Sequence, residues 1–332
     1  MNEQPLISVI IKTYNEALGI AKTIASIRRD LAHCSYEILV ADSLSSDETQ
    51  AIALAEGATV VSLVNGEERC CGVGHQLGYL HAKGQFLLLM DGDMQLASGF
   101  IDAALGFLQS HPHYAGVAGM VEMDDAVSYE FKSRKQRLHK IYPLGDCSHL
   151  GGGGLYRKSA IDEIGYLTNR NLHAYEEAEL GMRLNRAGYK LHRLEVPYFH
   201  HTSYEMSTWQ LLKYRWRSQY LFAPGELLRS AWGKAHFLDA LHTVKNEAIF
   251  TLYLFILLLA TLSMAQPLIL LALLPLIAFF LLKAVKNRSL RDALQSVINL
   301  SVFSAGLVRG LFCAQKDPYI APQNTILKAN DK

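Results

Sequence analysis

Net charge is what this chain most plainly lacks: 32 Lys and Arg stand against 31 Asp and Glu. Without a basic field, nucleic acid is not an expected partner, and acidic polymers are no better favoured. Paired cysteines are missing too. Cys34, Cys70, Cys71, Cys147 and Cys313 show no CxxC or Cys/His spacing and are odd in number, which excludes a disulfide frame and a zinc site from the reading. A secretory leader is not expected either: Met1 to Pro5 has no basic residue, and Leu6 to Ile11 is too short for the apolar core of one. The N-terminus is therefore expected in the cytoplasm.

Charge of either sign is absent from Ala248 to Leu282. Uncharged apolar runs of this length favour a membrane over a buried pair of soluble helices. Gln266-Pro267 interrupts the run, so about 247–265 and 267–282 read as two transmembrane passes. Lys234 and Lys245 precede them, Lys283, Lys286, Arg288 and Arg291 follow, and Ser263 to Pro267 between them has no basic residue. By the positive-inside rule the pair is a hairpin with both flanks cytoplasmic. A later segment, 294–312, carries Gln295, Asn299, Ser301, Ser304 and Arg309 among apolar residues, and reads as an interfacial helix or a third pass, the interface being favoured. Two domains follow: 1–230, soluble, and 231–332, membrane-associated.

The soluble part alternates strands and helices. Leu6 to Ile11, Tyr36 to Ala41, Thr59 to Leu63 and Phe86 to Met90 are short apolar runs; the segments between them fit helices, with Leu18, Ile20, Ile24 and Ile27 at helical spacing in the first. This rhythm predicts an α/β fold with a mostly parallel sheet. In such sheets ligands sit beyond the carboxyl ends of the strands. The fourth strand delivers Asp91-Gly92-Asp93 there. Two carboxylates separated by one glycine suit Mg²⁺ or Mn²⁺ completed by water and substrate phosphates, whereas the same tripeptide on composition alone is equally a turn.

Three runs in order, Ser8-Val-Ile-Ile-Lys-Thr-Tyr-Asn-Glu16, Val40-Ala-Asp-Ser-Leu-Ser-Ser-Asp-Glu-Thr49 and Leu89-Met-Asp-Gly-Asp93, resemble the family 2 glycosyltransferases of the GT-A fold. The resemblance spans about Leu6 to Ser218. It continues in Gly151 to Arg157, similar to the acceptor-side glycine segment, and in Tyr175 to Leu184, similar to the helix carrying the catalytic carboxylate. The resemblance implies a nucleotide-diphospho-sugar donor, a glycan or lipid-linked acceptor, and transfer with inversion by a membrane-held enzyme whose catalytic domain faces the cytoplasm. A polyprenyl phosphate acceptor, or a non-catalytic membrane-tethered nucleotide-sugar sensor, are the alternatives.

By the same resemblance, Thr13, Tyr14 and Glu16 line the base and ribose pocket, Asp42 accepts from the base, Asp93 holds the metal and Asp91 contacts ribose or metal. His200-His201 falls where relatives supply a further metal or diphosphate contact, and His201 is the ligand expected. The family often has Arg-Asn where this chain has His75-Gln76, so Arg69 is the cation expected at the diphosphate. It usually has Gly at Leu44, which puts the backbone there in question. Attack by a hydroxyl requires a general base. Glu176 and Glu177 are the candidates, and only one can serve, because adjacent helix residues do not share a face.

Overall fold

The computed structural model describes residues 4–123, 138–201 and 208–328. One compact unit runs to Tyr214 and includes the segment from Lys316 onward; a second comprises Arg215–Gln315. The membrane-associated region expected over 231–332 therefore gives up its last segment to the first unit.

The first unit is built on a 10-stranded sheet. Its strands are β1 Ile7–Thr13, β2 Tyr36–Asp42, β3 Thr59–Leu63, β4 Phe86–Asp91, β5 Met94–Leu96, β6 Tyr114–Met123, β7 Gly145–Cys147, β8 Gly154–Arg157, β9 Lys190–His201 and β10 Asn324–Leu327. The order is β10-β3-β2-β1-β4-β8-β6-β9-β5, with β7 paired to β9. From β3 to β4 the ladder is parallel, as the alternating pattern predicts. Beyond β4 it is mixed: β8 runs antiparallel to both β4 and β6, and β5 and β7 run antiparallel to β9. The expected α/β sheet is found, parallel over β3-β2-β1-β4 and between β6 and β9, and antiparallel where β8, β5, β7 and β10 join it.

Residues from Leu87 to Met90 are fully buried, as are Val9, Ile10 and Ile11, so the central strands are covered on both faces. Helix α1 (Ile20–Asp30) buries Ile20, Ile24 and Ile27. Leu18, read as part of that stripe, lies before the helix and is 96% exposed. The remaining helices used below are α2 Thr49–Ala55, α3 Cys71–Tyr79, α4 Phe100–Ser110, α5 Lys158–Ile164 and α6 Glu176–Arg186.

In the second unit, α7 (Ala223–Ala231) and α8 (Phe237–Thr243) precede α9 (Lys245–Leu262), α10 (Gln266–Asn287) and α11 (Leu290–Leu311). The last three are long and apolar enough to cross a membrane. The sequence reading had two such passes and an interfacial preference for the third. Gly306 and Gly310 bring α11 so close to Leu221 and Phe222 that an added Cβ would lie 2.0 and 1.9 Å from their carbonyl oxygens. Tyr253 on α9 donates a hydrogen bond to the Ala272 carbonyl on α10, 2.9 Å away.

Candidate active site

Register alone brings the first group together. In the parallel ladder Thr13 lies opposite Asp42 and Lys12 opposite Asp91, all at carboxyl ends. Asp42 is fully buried. It accepts hydrogen bonds from Thr13 Oγ1 (3.2 Å), Ser45 N (2.9 Å), Ser45 Oγ (2.5 Å) and Gln50 Nε2 (2.5 Å). As placed, Asp42 organises the loop after β2, and a base would meet it only by displacing one of these donors. Leu44 has φ 60°, so the backbone that the family fills with glycine is kept, at a steric cost of about 1 kcal/mol for an L side chain.

Asp91-Gly92-Asp93 is pinned from both sides. Gly92 N donates to the Lys12 carbonyl (3.0 Å), and Thr23 Oγ1 on α1 donates to the Gly92 carbonyl (2.8 Å). A Cβ at Gly92 would lie 2.9 Å from Thr13 Cγ2 and 3.0 Å from Glu16 Cβ, so the turn packs directly on the β1 loop that carries Glu16.

Lys12, which the sequence reading did not single out, is the centre of the charge arrangement. Its Nζ stands 3.2 Å from Asp91 Oδ1 and 3.5 Å from Glu176 Oε1. Burial pulls the ammonium pKa down, but Asp91 and Glu176 outweigh it and hold the group well above its usual range. One signal was available in the sequence: a lysine next to last in a strand otherwise buried, on the side where acids collect.

The two glutamates are unlike. Glu176 opens α6 and is held by Lys12. Glu177 Oε1 accepts from Gly153 N at 2.8 Å, while its buried Oε2 has no hydrogen-bond partner among the described residues. Burial first, then the charge of Glu176, push its carboxyl up to about 8, against the pull of Lys12 and the Gly153 N–H. Gly153 can supply that N–H because it takes φ 93° and passes so close to β4 that an added Cβ would sit 2.0 Å from the Leu89 carbonyl oxygen. Glu179, the third acid of the run, is committed elsewhere: it is fully buried, 2.9 Å from Arg183 Nε and 2.7 Å from the Tyr166 hydroxyl.

Arg69 ties the loops after β1 and β2 together. Its Nε donates to the Ser43 carbonyl (2.7 Å), its Nη2 to the Leu44 carbonyl (3.3 Å) and its Nη1 to the Tyr14 hydroxyl (2.8 Å), with the guanidinium 4.1 Å from the Tyr14 ring centre. The His75-Gln76 pair is scaffold. His75 is buried with Nε2 3.1 Å from the Met90 carbonyl, and burial together with the Lys12 charge pushes its pKa down to about 4. Gln76 Oε1 accepts from Leu167 N (2.9 Å) and Thr168 N (3.2 Å). Glu68, next to Arg69, pairs with Arg170 and, at 2.7 Å, with Lys316 of the returning segment.

Among the described residues no three or more His, Cys, Asp or Glu are grouped to hold a metal ion. Asp91 shares an oxygen with Lys12, and Asp93 is the second carboxylate of the turn. This donor set fits a hard cation that takes most of its oxygens from water and a diphosphate, and does not fit an all-protein cage. His201 pairs through its backbone with Met94 in the β5–β9 ladder. Its side chain lies outside the described ones, and so does the metal role expected of it.

Residues 8–165 match the family model described as Glycosyl transferase family 2. EpsE of Bacillus subtilis (strain 168), described as a glycosyltransferase, is 27% identical over 208 residues, 59% of this chain and 72% of that protein. The UDP-forming catalytic subunit of cellulose synthase 1 from Komagataeibacter xylinus is 22% identical over 213 residues, 59% of this chain but 28% of that one. Among solved structures, the mannosyltransferase PcManGT of Pyrobaculum calidifontis, in complex with GDP-Man and Mn²⁺, aligns over 94% of this chain and 88% of its own with a TM-score of 0.58 at 18% identity, a likeness of fold. Residues 8–165 thus carry a likeness to glycosyl transferase family 2 on a GT-A-like fold, and three long apolar helices follow.

Proposed function

We propose that this chain is a membrane-anchored inverting glycosyltransferase that moves a sugar from a nucleotide-diphospho-sugar to a hydroxyl of a glycan or lipid-linked acceptor, with its catalytic domain on the cytoplasmic face. The observation that carries the reading is Glu177. Its carboxyl is fixed through one oxygen by the Gly153 N–H, its other oxygen is buried with no hydrogen-bond partner among the described residues, and burial pushes its pKa up to about 8. Those are the properties of a general base.

In this reading Glu177 Oε2 takes the proton of the acceptor hydroxyl as its oxygen attacks the anomeric carbon. Glu176 is paired with Lys12 and is not the base. Arg69 holds the loops after β1 and β2 as one wall, with Tyr14 as its outer surface for the base, and Thr13 and Glu16 complete the ribose side. Asp93 would hold Mg²⁺ or Mn²⁺, which would supply Lewis-acid neutralisation of the leaving diphosphate. A phosphate acceptor would need no base, so the built Glu177 site favours the hydroxyl.

The test is a donor panel with membranes containing the full chain, scored by released nucleoside diphosphate with and without EDTA. Release that depends on acceptor and metal, and falls at least about 100-fold in Asp93→Ala, is expected. Donor binding with no turnover under any acceptor would identify a sensor instead.

A further inference from the structure

The chain on either side of the apolar helices belongs to one sheet. Strand β10 pairs antiparallel with β3, from Asn324 opposite Leu63 to Leu327 opposite Val60. The approach to it is fastened as well: Val64 N donates to the Gln323 carbonyl (3.0 Å), Lys316 N to Asn171 Oδ1 (2.7 Å), and Arg170 Nη1 to the Ile320 carbonyl (2.5 Å). An open sheet cannot straddle hydrocarbon, because its unpaired backbone groups would be unsatisfied there. Both flanks are therefore on one side of the bilayer, and the chain between them crosses an even number of times. Three membrane-capable helices cannot all cross.

A separate contact says which one stays. Ser304 Oγ on α11 lies 3.3 Å from the carbonyl oxygen of Glu247, in the first turn of α9. If α11 crossed after α10, Ser304 would be carried about 21 Å from the start of its helix, at about 1.5 Å per residue, towards the far end of α9 near Leu262. It is found at the near end. Helix α11 is also the least apolar of the three, with Asp292, Gln295, Ser296 and Asn299 forming one polar stripe and Gln295 Nε2 donating to Asn299 Oδ1 at 2.7 Å.

We infer that α9 and α10 cross the bilayer as a hairpin while α11 lies in the headgroup region on the same face as the sheet, its partner being the lipid surface. A polar stripe beside a broad apolar face suits that position. The basic residues agree: Lys245 precedes the hairpin, Lys283, Lys286 and Arg288 follow it, and the connection from Ser263 to Ala265 has none. The inference rests on the membrane anchoring proposed above.

Single cysteines at Ser263, Asn287 and Lys328, each in the full chain, are exposed to a membrane-impermeant maleimide in sealed right-side-out and inverted vesicles, and labelled peptides are identified by mass. Ser263→Cys is expected to react from one face, and Asn287→Cys and Lys328→Cys both from the other, each with at least a tenfold preference. Leu290→Cys carries the same comparison if Asn287→Cys does not accumulate. Reaction of the Asn287 and Lys328 sites from opposite faces overturns the inference, as does reaction of Ser263→Cys from their face. Release of the chain by carbonate washing overturns the anchoring itself, and this inference with it.

Discussion

Lys12 Nζ stands 3.5 Å from Glu176 Oε1, and that pair separates two adjacent glutamates which the sequence presents as equals. Glu176 faces an ammonium. Glu177, one residue on, has its carboxyl pushed up to about 8 by burial and by the charge its neighbour retains.

Glu177→Gln is expected to lower kcat/KM by about 10² to 10⁴, the range for loss of a general base. A base acts ionised, so activity of the unaltered chain should rise with pH up to about 8 and then level off. A pH–rate profile checks both, since the Gln variant should lose the rising limb. Glu176→Gln should keep it, shifted to lower pH, because a neighbouring negative charge has been removed.

Stability should respond in the opposite sense. The folded state holds the Glu177 proton up to about 8, while the unfolded chain releases it near the ordinary 4.5. Between those values rising pH favours the unfolded state. Glu177→Gln should therefore raise Tm at pH 8 relative to the unaltered chain, with the difference vanishing near pH 4.

Lys12→Met removes the cation that lowers the Glu177 carboxyl, so the rising limb should move to higher pH and activity at pH 7 should fall by about tenfold or more. Lys12→Arg keeps the charge and should hold the limb within about half a pH unit. A limb unmoved in the Met variant would remove Lys12 from this role.

Gly153→Ala puts a Cβ 2.0 Å from the Leu89 carbonyl oxygen at φ 93°. About 1–3 kcal/mol of stability should be lost to backbone strain, measurable by thermal unfolding, and more activity than stability, because the Gly153 N–H orients the base.

Lys316→Ala breaks the 2.7 Å contact to Glu68, beside Arg69. Lys316 is about half exposed, so stability should change by no more than about 1 kcal/mol. KM for the donor should rise a few-fold with kcat nearly unchanged, which steady-state kinetics at saturating acceptor would show.

The sequence by itself determined the parallel half of the sheet, the placement of Asp91 and Asp93 at a strand end, and the apolar helices. Each of these is written in local pattern: continuous apolar runs, glycine at the turn, an absence of charge. Only the tertiary structure decided the rest. Lys12 gains its place from strand register, which sets it opposite Asp91, and from α6, 164 residues away in sequence. Asp42 is enclosed by donors from β1, its own loop and α2. The return of β10 to β3 is invisible in a four-residue strand. Its pairing energy comes wholly from an edge far away in the chain, and that pairing fixes the parity of the membrane crossings.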